Sequence, residues 1–259
     1  MTRFKIATFN ANSIRVRLDQ ILAWMDREKA DVVCVQETKV QDQDFPEDKI
    51  RDAGYHVVYS GQKSHAGVAT LSRTPPEETQ AGFDDGTDAA RMLYTHIEGL
   101  HIVNTYVPQG RDPDHEEFQH KLAWFEQIKA WFDRHYAPDD PILWLGDLNV
   151  APEDIDVYDP DRLRGHVDFH PDAQAALEDV RAWGFVDVFR KHHPNEPNQF
   201  TYYDYRARNP IEENKGWRVD HMLATEPLAA KCVASWIDVE ARKADRPSDH
   251  TFLVAEFEL

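Results

Sequence analysis

The chain has 259 residues, enough for one large two-layer domain with a sizeable core, and its 41% hydrophobic content with 13 Phe and 7 Trp excludes a disordered or collagen-like protein. The formal net charge is −18, from 29 Lys+Arg against 47 Asp+Glu, so the chain as a whole repels a polyanion. That argues against a simple nucleic-acid-binding module but leaves open an enzyme that meets phosphate through a metal ion and a few local cations.

In chain order, Phe4 to Asn10 reads as a strand, and Leu18, Ile21, Leu22 and Met25 fall on one face of a following helix. Asp31 to Glu37 is a second β-branched run, ending on an acid where the first ended on Asn10. His56 to Tyr59 and Gly67 to Leu71 are two more strands, and the short connection from Gly61 to Ala66 sets them antiparallel. Thr74-Pro75-Pro76 and the acidic stretch from Gly82 to Asp88 read as surface loop. Arg91 to Ile97 and Leu100 to Tyr106 form a hairpin about a Glu98-Gly99 turn. A long helix is predicted over residues 116 to 136, with Phe118, Leu122, Phe125, Ile128 and Phe132 as its buried stripe.

Pro141 to Leu145 is then an apolar run suited to a covered strand, and it delivers Gly146-Asp147-Leu148-Asn149. Asp147 and Asn149 are two apart and point the same way if the strand continues, while Gly-Asp-x-Asn is equally good turn chemistry. Asp154 to Asp168 reads as charged loop, and Ala175, Ala176, Val180 and Trp183 suggest a third helix ending at Gly184. Phe200 to Tyr205 is an aromatic strand or turn. The last strands are Asp220 to Ala224, Val233 to Val239 and Thr251 to Phe257. About ten strands, three helices and no Gly/Ser-rich linker predict a single domain over residues 1–259.

No segment approaches the ~20 apolar residues of a membrane span, and the opening residues lack an apolar signal core. Cys34 and Cys232 lie far apart in apolar segments, which suits buried thiols in a reducing compartment, with cytoplasm the expectation. Asn10, Glu37, Tyr106, Asp147 and Asn149 close strands, while Asp220, Asp249 and His250 open them, so all can share one rim. Acids gathered on one rim call for a divalent cation or shifted pKa values, and an oxygen-rich set without a Cys-His cluster favours Mg²⁺ or Mn²⁺ over zinc. Asp249 beside His250 is placed to fix the imidazole tautomer.

These segments carry a resemblance. Thr8 to Arg15, Gln36-Glu37-Thr38-Lys39, Gly61-Gln62-Lys63, Tyr106 to Gly110, Gly146 to Asn149, Gly216 to His221 and Pro247 to His250 are similar, in order, to the motifs of the exonuclease III family of abasic-site endonucleases, within the endonuclease/exonuclease/phosphatase superfamily. The resemblance implies a four-layer α/β sandwich of the DNase I type: two mixed, mainly antiparallel sheets face to face with helices outside. It implies a metal held by Glu37 with Asn10 and Asp249. It makes Asp147 the activator of water, Asn149 its orienter, His250 with Asp249 a donor to phosphate, Tyr106 a phosphate or leaving-group contact, and Asp220 a supporting acid. Asn12, Lys63, Arg91, Tyr202, Trp217 and Val219 become substrate contacts, the last three forming a pocket for a flipped baseless sugar. Arg73, Arg206, Arg208 and Arg218 are further candidate phosphate contacts. His65-Ala66-Gly67 departs from the family pattern, in which an aromatic residue often precedes the glycine, and Ala11 and Ser13 replace a β-branched residue and Gly. The implied partner is double-stranded DNA with abasic sites or 3′ ends, and a monomer is expected. The alternatives are a small-molecule or lipid phosphoesterase on the same scaffold and a non-catalytic DNA-binding module.

Overall fold

The structure is a computed structural model describing residues 3–63 and 65–259; Ser64, within the predicted connection from Gly61 to Ala66, lies outside them, as do Met1 and Thr2 of the opening segment. The chain begins β1 (Arg3–Asn10), α1 (Ile14–Glu28), β2 (Val32–Gln36), α2 (Glu47–Asp52), β3 (His56–Ser60) and β4 (Val68–Ser72). It continues β5 (Glu78–Ala81), β6 (Met92–Ile97), β7 (Leu100–Tyr106), α3 (Glu116–His135) and β8 (Ile142–Asp147). The last part is α4 (Pro160–Leu163), α5 (Pro171–Arg181), β9 (Phe185–Asp187), α6 (Val188–His192), β10 (Asp220–Thr225), α7 (Glu226–Ala229), β11 (Cys232–Asp238) and β12 (Phe252–Glu258). The elements beyond the sequence expectation are short: β5 has 4 residues, β9 has 3 and α7 has 4. Such pieces span too few residues to show a period.

Two six-stranded sheets form, in the orders β11-β12-β1-β2-β4-β3 and β5-β6-β7-β8-β10-β9. Each is antiparallel apart from one parallel pair, β1–β2 in the first and β7–β8 in the second. Strand alternation explains the layering. Val32 and Cys34 of β2 join Leu143 and Leu145 of β8 in the core between the sheets. Val33 and Val35 face the other way, onto Leu18, Ile21 and Met25 of α1. Trp144, between Leu143 and Leu145, turns outward onto Phe125, Ile128 and Phe132 of α3, and α5 adds Leu177 and Val180 to that layer. The result is a helix, sheet, sheet, helix sandwich. In α5 the buried face is Ala173, Leu177 and Val180, so the predicted Ala175 points to solvent instead.

A polar bridge crosses the inter-sheet core. Gln36 Nε2 donates to Thr8 Oγ1 at 2.9 Å and to Asn104 Oδ1 at 2.7 Å, and Asn104 Nδ2 donates back to the Ala69 carbonyl at 3.0 Å. Cys34 and Cys232 are both free and buried. No helix among the described residues is long and apolar enough to cross a membrane.

Candidate active site

Strand ends from both sheets meet at one rim. In the second sheet Tyr106 lies opposite Asp147 across the parallel β7–β8 pair, and Asp147 lies opposite Asp220 across the antiparallel β8–β10 pair. Three polar side chains therefore start from one row. In the first sheet β1 and β2 pair Asn10 with Gln36, and Glu37 follows at φ 50. Both parallel pairs thus present their carboxyl ends to the same cleft, where backbone leaves the sheet and side chains are free to converge.

The delivery of Asp147 depends on Gly146. Its φ is 136, and a Cβ there would run into the Thr105 carbonyl oxygen of the neighbouring strand. Gly146→Ala is expected to destabilise the fold by about 1–3 kcal/mol through this strain and to lower turnover by displacing Asp147; urea melts and rates on one substrate check both. Beyond Asp147 the strand does not continue. Asn149 N donates to Asp147 Oδ1 at 3.0 Å and Asn149 has φ 51, so turn chemistry brings acid and amide together. Asn149 Nδ2 is fixed on the Val107 carbonyl at 2.9 Å.

Asn10 joins the two sheets at the rim. Its Nδ2 donates to Glu37 Oε1 and to Asp147 Oδ2, each at 2.8 Å, while its side-chain Oδ1 accepts the Asn12 backbone N–H at 3.0 Å. That backbone bond fixes which way the amide faces, so Asn10 turns its NH₂ to the carboxylates and holds them around one point. Glu37 Oε2 meets Lys39 Nζ at 2.6 Å. Asn12 Nδ2 donates to Asp249 Oδ1 at 3.0 Å, so Asn12 orients an acid of the rim.

The partner of His250 corrects the expectation. Its Nδ1 lies 2.8 Å from Asp220 Oδ2, whereas Asp249, its chain neighbour, turns to Asn12. Adjacent residues in extended chain face opposite ways, which is why sequence adjacency misled. His250 Nε2 stands 3.8 Å from Asp147 Oδ2. Burial opposes the imidazolium, but the charges of Asp220 and Asp147 outweigh it and raise the imidazole well above its usual range. Burial pushes the Asp147 carboxyl up; the His250 charge pulls it down and Asp220 and Glu37 push it up again, leaving it well above the ordinary carboxylate range. Burial, with Glu37 and Asp147 nearby, also raises the Tyr106 phenol, against the pull of Arg91, so Tyr106 is a donor at neutral pH. The Arg91 guanidinium lies 5.0 Å from the Tyr106 ring centroid.

Comparison with known proteins gives one answer. Residues 7–250 match the model of the endonuclease/exonuclease/phosphatase family. The chain belongs to that family. It is similar to the exodeoxyribonuclease III of Haemophilus influenzae, 35% identical over 98% of this chain and 99% of that one. Among solved structures, an AP endonuclease from Archaeoglobus fulgidus superposes with a TM-score of 0.96 at 47% identity, over 99% of this chain and 100% of that one. A 3′ phosphatase from Neisseria bound to a product DNA hairpin superposes with a TM-score of 0.92 at 30% identity, over the same shares.

For this family member the donor set fits a hard divalent cation. The cluster offers carboxylate and amide oxygens, and Asp220 Oδ1 is buried with no hydrogen-bond partner. Asp147, Asp220 and His250 bring ligand-capable atoms within 4.8 Å of one another. His250, however, spends Nδ1 on Asp220 and is held as a cation, so the carboxylates are the better ligands.

Tyr202, Trp217 and Val219 line one wall of a cleft of about 520 Å³ that Glu37, Tyr106, Asp147, Asn149, Asp249 and His250 also line. Tyr202 and Trp217 exchange backbone hydrogen bonds at 2.9 Å, and the Tyr202 ring centroid lies 4.9 Å from that of His250. Arg206 lines the cleft but is paired with Asp204 at 2.8 Å. Lys63 and Arg208 are exposed outside its lining. Arg73 follows the far end of β4, which pairs Ser72 with Val32, and so stands at the opposite pole from Glu37. Arg218 is not a phosphate contact: it is 1% exposed and bonded to Asp156 at 2.6 Å and Asp187 at 2.7 Å.

Sequence reasoning assigned no role to Gln109, Arg111, His166, Asp168 and Asp204, which also line the cleft. Gln109 stood inside a recognised motif. His166 and Asp168 fall in a charged loop, which carries no periodic signal.

Proposed function

We propose that this protein is a Mg²⁺-dependent DNA-repair nuclease that hydrolyses the phosphodiester 5′ to abasic sites and trims 3′ ends. The observation that carries this reading is the gathering of Glu37, Asp147, Asn149 and His250, the last backed by Asp220, in one cleft with Tyr202, Trp217 and Val219. The reading draws further support from relatives that include an exodeoxyribonuclease III, an AP endonuclease and a 3′ phosphatase.

A divalent cation would be held by Glu37 with Asp249 and would supply charge neutralisation at the phosphate. Asn10, expected as a ligand, instead turns its NH₂ to Glu37 and Asp147 and spends Oδ1 on the Asn12 N–H, so it positions the acids and does not ligate. Asp147, with its raised pKa, takes a proton from a water that Asn149 orients for in-line attack on phosphorus. The Nε2–H of His250, held as imidazolium by Asp220, donates to a non-bridging phosphate oxygen as charge builds there. Tyr106 donates its phenol proton in a hydrogen bond to the phosphate, and the Tyr202–Trp217–Val219 wall receives the baseless sugar. One chain supplies every group named, which supports a monomer, and the core shared by both sheets supports one domain over residues 1–259. Two buried free thiols suit the cytoplasm.

The test gives purified protein and Mg²⁺ three labelled duplexes: one abasic, one undamaged with a recessed 3′ end and one 3′-phosphorylated. Incision of the abasic strand is expected to be fastest. Intact abasic DNA alongside hydrolysis of inositol phosphates or sphingomyelin would replace this reading with a phosphoesterase. Chelation with EDTA is expected to abolish all cutting and added Mg²⁺ or Mn²⁺ to restore it; undiminished cutting in EDTA overturns the metal assignment.

A further inference from the structure

Lys121 is a lysine with 0% exposure in the middle of α3. Its position continues the apolar stripe of Phe118 and Phe125, so the helix drives it inward. Its stem passes under the cleft, and the ammonium ends among backbone carbonyls from three separate loops. Nζ donates to Asn149 O at 2.6 Å, to Val167 O at 3.1 Å and to Gln109 O at 3.2 Å. The nearest carboxylate oxygen, Asp168 Oδ1, is farther away at 3.4 Å. Asp168 in turn accepts Gln109 Nε2 at 3.1 and 3.2 Å.

A buried ammonium is costly to desolvate, and burial indeed lowers the Lys121 pKa. A leucine would fill the stripe without that cost. What the ammonium adds is geometric, because its three protons meet three carbonyls at the bases of the loops that carry Asn149, Gln109 and Asp168. Asn149 is in left-handed backbone at φ 51, with its amide N–H on Asp147 and its side chain on Val107. The Lys121 bond fixes the remaining backbone group of that residue, its carbonyl, and leaves the side-chain Oδ1 for water.

We propose that Lys121 is a positioning residue: it pins Asn149 in the orientation used for catalysis and locks the Gln109–Asp168 wall to the same point. The proposal rests on the assignment of Asn149 to water orientation, and the experiment separates the two.

The experiment is a double-mutant cycle on the full chain with Mg²⁺, using Lys121→Met, Asn149→Ala and the pair. Met keeps the stem length and removes the donors. Lys121→Met is expected to lower kcat by about 100-fold, the scale of a small misplacement at a reacting centre, with KM changed by less than about threefold. If Lys121 acts through Asn149, the double variant is expected to match Asn149→Ala alone. Fully additive losses, or a Lys121→Met kcat within about twofold of the parent, overturn the proposal. If Asn149→Ala itself keeps full kcat, the site reading fails first. Should Lys121→Met not fold, Lys121→Leu, which fills the apolar stripe and likewise has no donor, takes its place in the cycle with the same outcomes. Failure of both to fold assigns the ammonium to the fold and overturns the positioning role.

Discussion

Replacing Asp147 by Asn is expected to lower turnover on an abasic duplex by roughly 10²–10⁴-fold, the range that a positioned general base contributes. The shape of the side chain is kept, so Asn10 and Asn149 retain a neighbour of the same size, and the fold is expected to survive. Stability is expected to move the other way from activity. The folded-state pKa of Asp147 is raised, chiefly by burial, above the unfolded carboxylate value of about 3.9. Such a group loses stability as pH rises from the unfolded value through the folded one. In the metal-free protein, Asp147→Asn should therefore melt at or above the parent temperature at neutral pH, with the gap closing as the pH falls to about 4. Thermal melts across that interval, with rates measured alongside, check both halves. Near-normal incision by Asp147→Asn would remove Asp147 from the chemistry.

The largest stability effect is expected at Arg218. Its guanidinium joins Asp156 and Asp187, which are 0% and 5% exposed, and Asp156 also meets Arg190. Arg218→Met would leave two buried carboxylates short of their counter-charge, a change expected to cost about 3–5 kcal/mol. In the parent, burial alone would raise the Asp156 and Asp187 carboxyls; the Arg218 charge outweighs it and holds both below their usual range. Their contribution is thus full above the unfolded carboxylate value of about 3.9 and is lost as pH falls toward the folded values. Without Arg218 burial dominates and the sign reverses, so the deficit of Arg218→Met should shrink on acidification from neutral pH. Denaturant melts at several pH values test this; a deficit under about 1 kcal/mol at neutral pH would mean the cluster is no more than a surface pair.

Much of the site was legible because strand ends are legible. Apolar runs that stop at Asn10, Glu37, Tyr106 and Asp147 mark where backbone leaves a sheet, and a sandwich gathers such ends. Asp147 and Asn149 could be paired from spacing under either local reading, strand or turn, and the turn prevailed: Asn149 takes a positive φ and its N–H bonds back to Asp147 Oδ1. What could not be read was who meets whom across the chain. His250, just before β12 of the first sheet, finds Asp220 at the start of β10 in the second, and Arg218 finds Asp156 and Asp187 from two other segments. Those contacts are products of packing, and no local pattern encodes them. Arg218, expected as a phosphate contact, is buried because its charge is cancelled locally. Lys121 is the instructive case: a charged residue at an apolar stripe position was the one local sign that a helix reaches the cleft.

The polar bridge between Gln36 and Asn104 gives the cleft a property that its own residues do not. Two apolar faces packed together resist a slide of one sheet over the other through interdigitated side chains, which can repack, because dispersion itself is non-directional. Glu37 belongs to one sheet and Asp147 to the other, so such a slide would separate the two carboxylates that the chemistry needs side by side. A directional pair of amides beneath the rim, joining the strand before Glu37 to the strand before Tyr106, converts an interface that can repack into an indexed one. The proposed catalytic constellation is therefore not portable as a set of loops. Transplanting the rim to another sandwich would carry the side chains but leave behind the key that aligns the two halves.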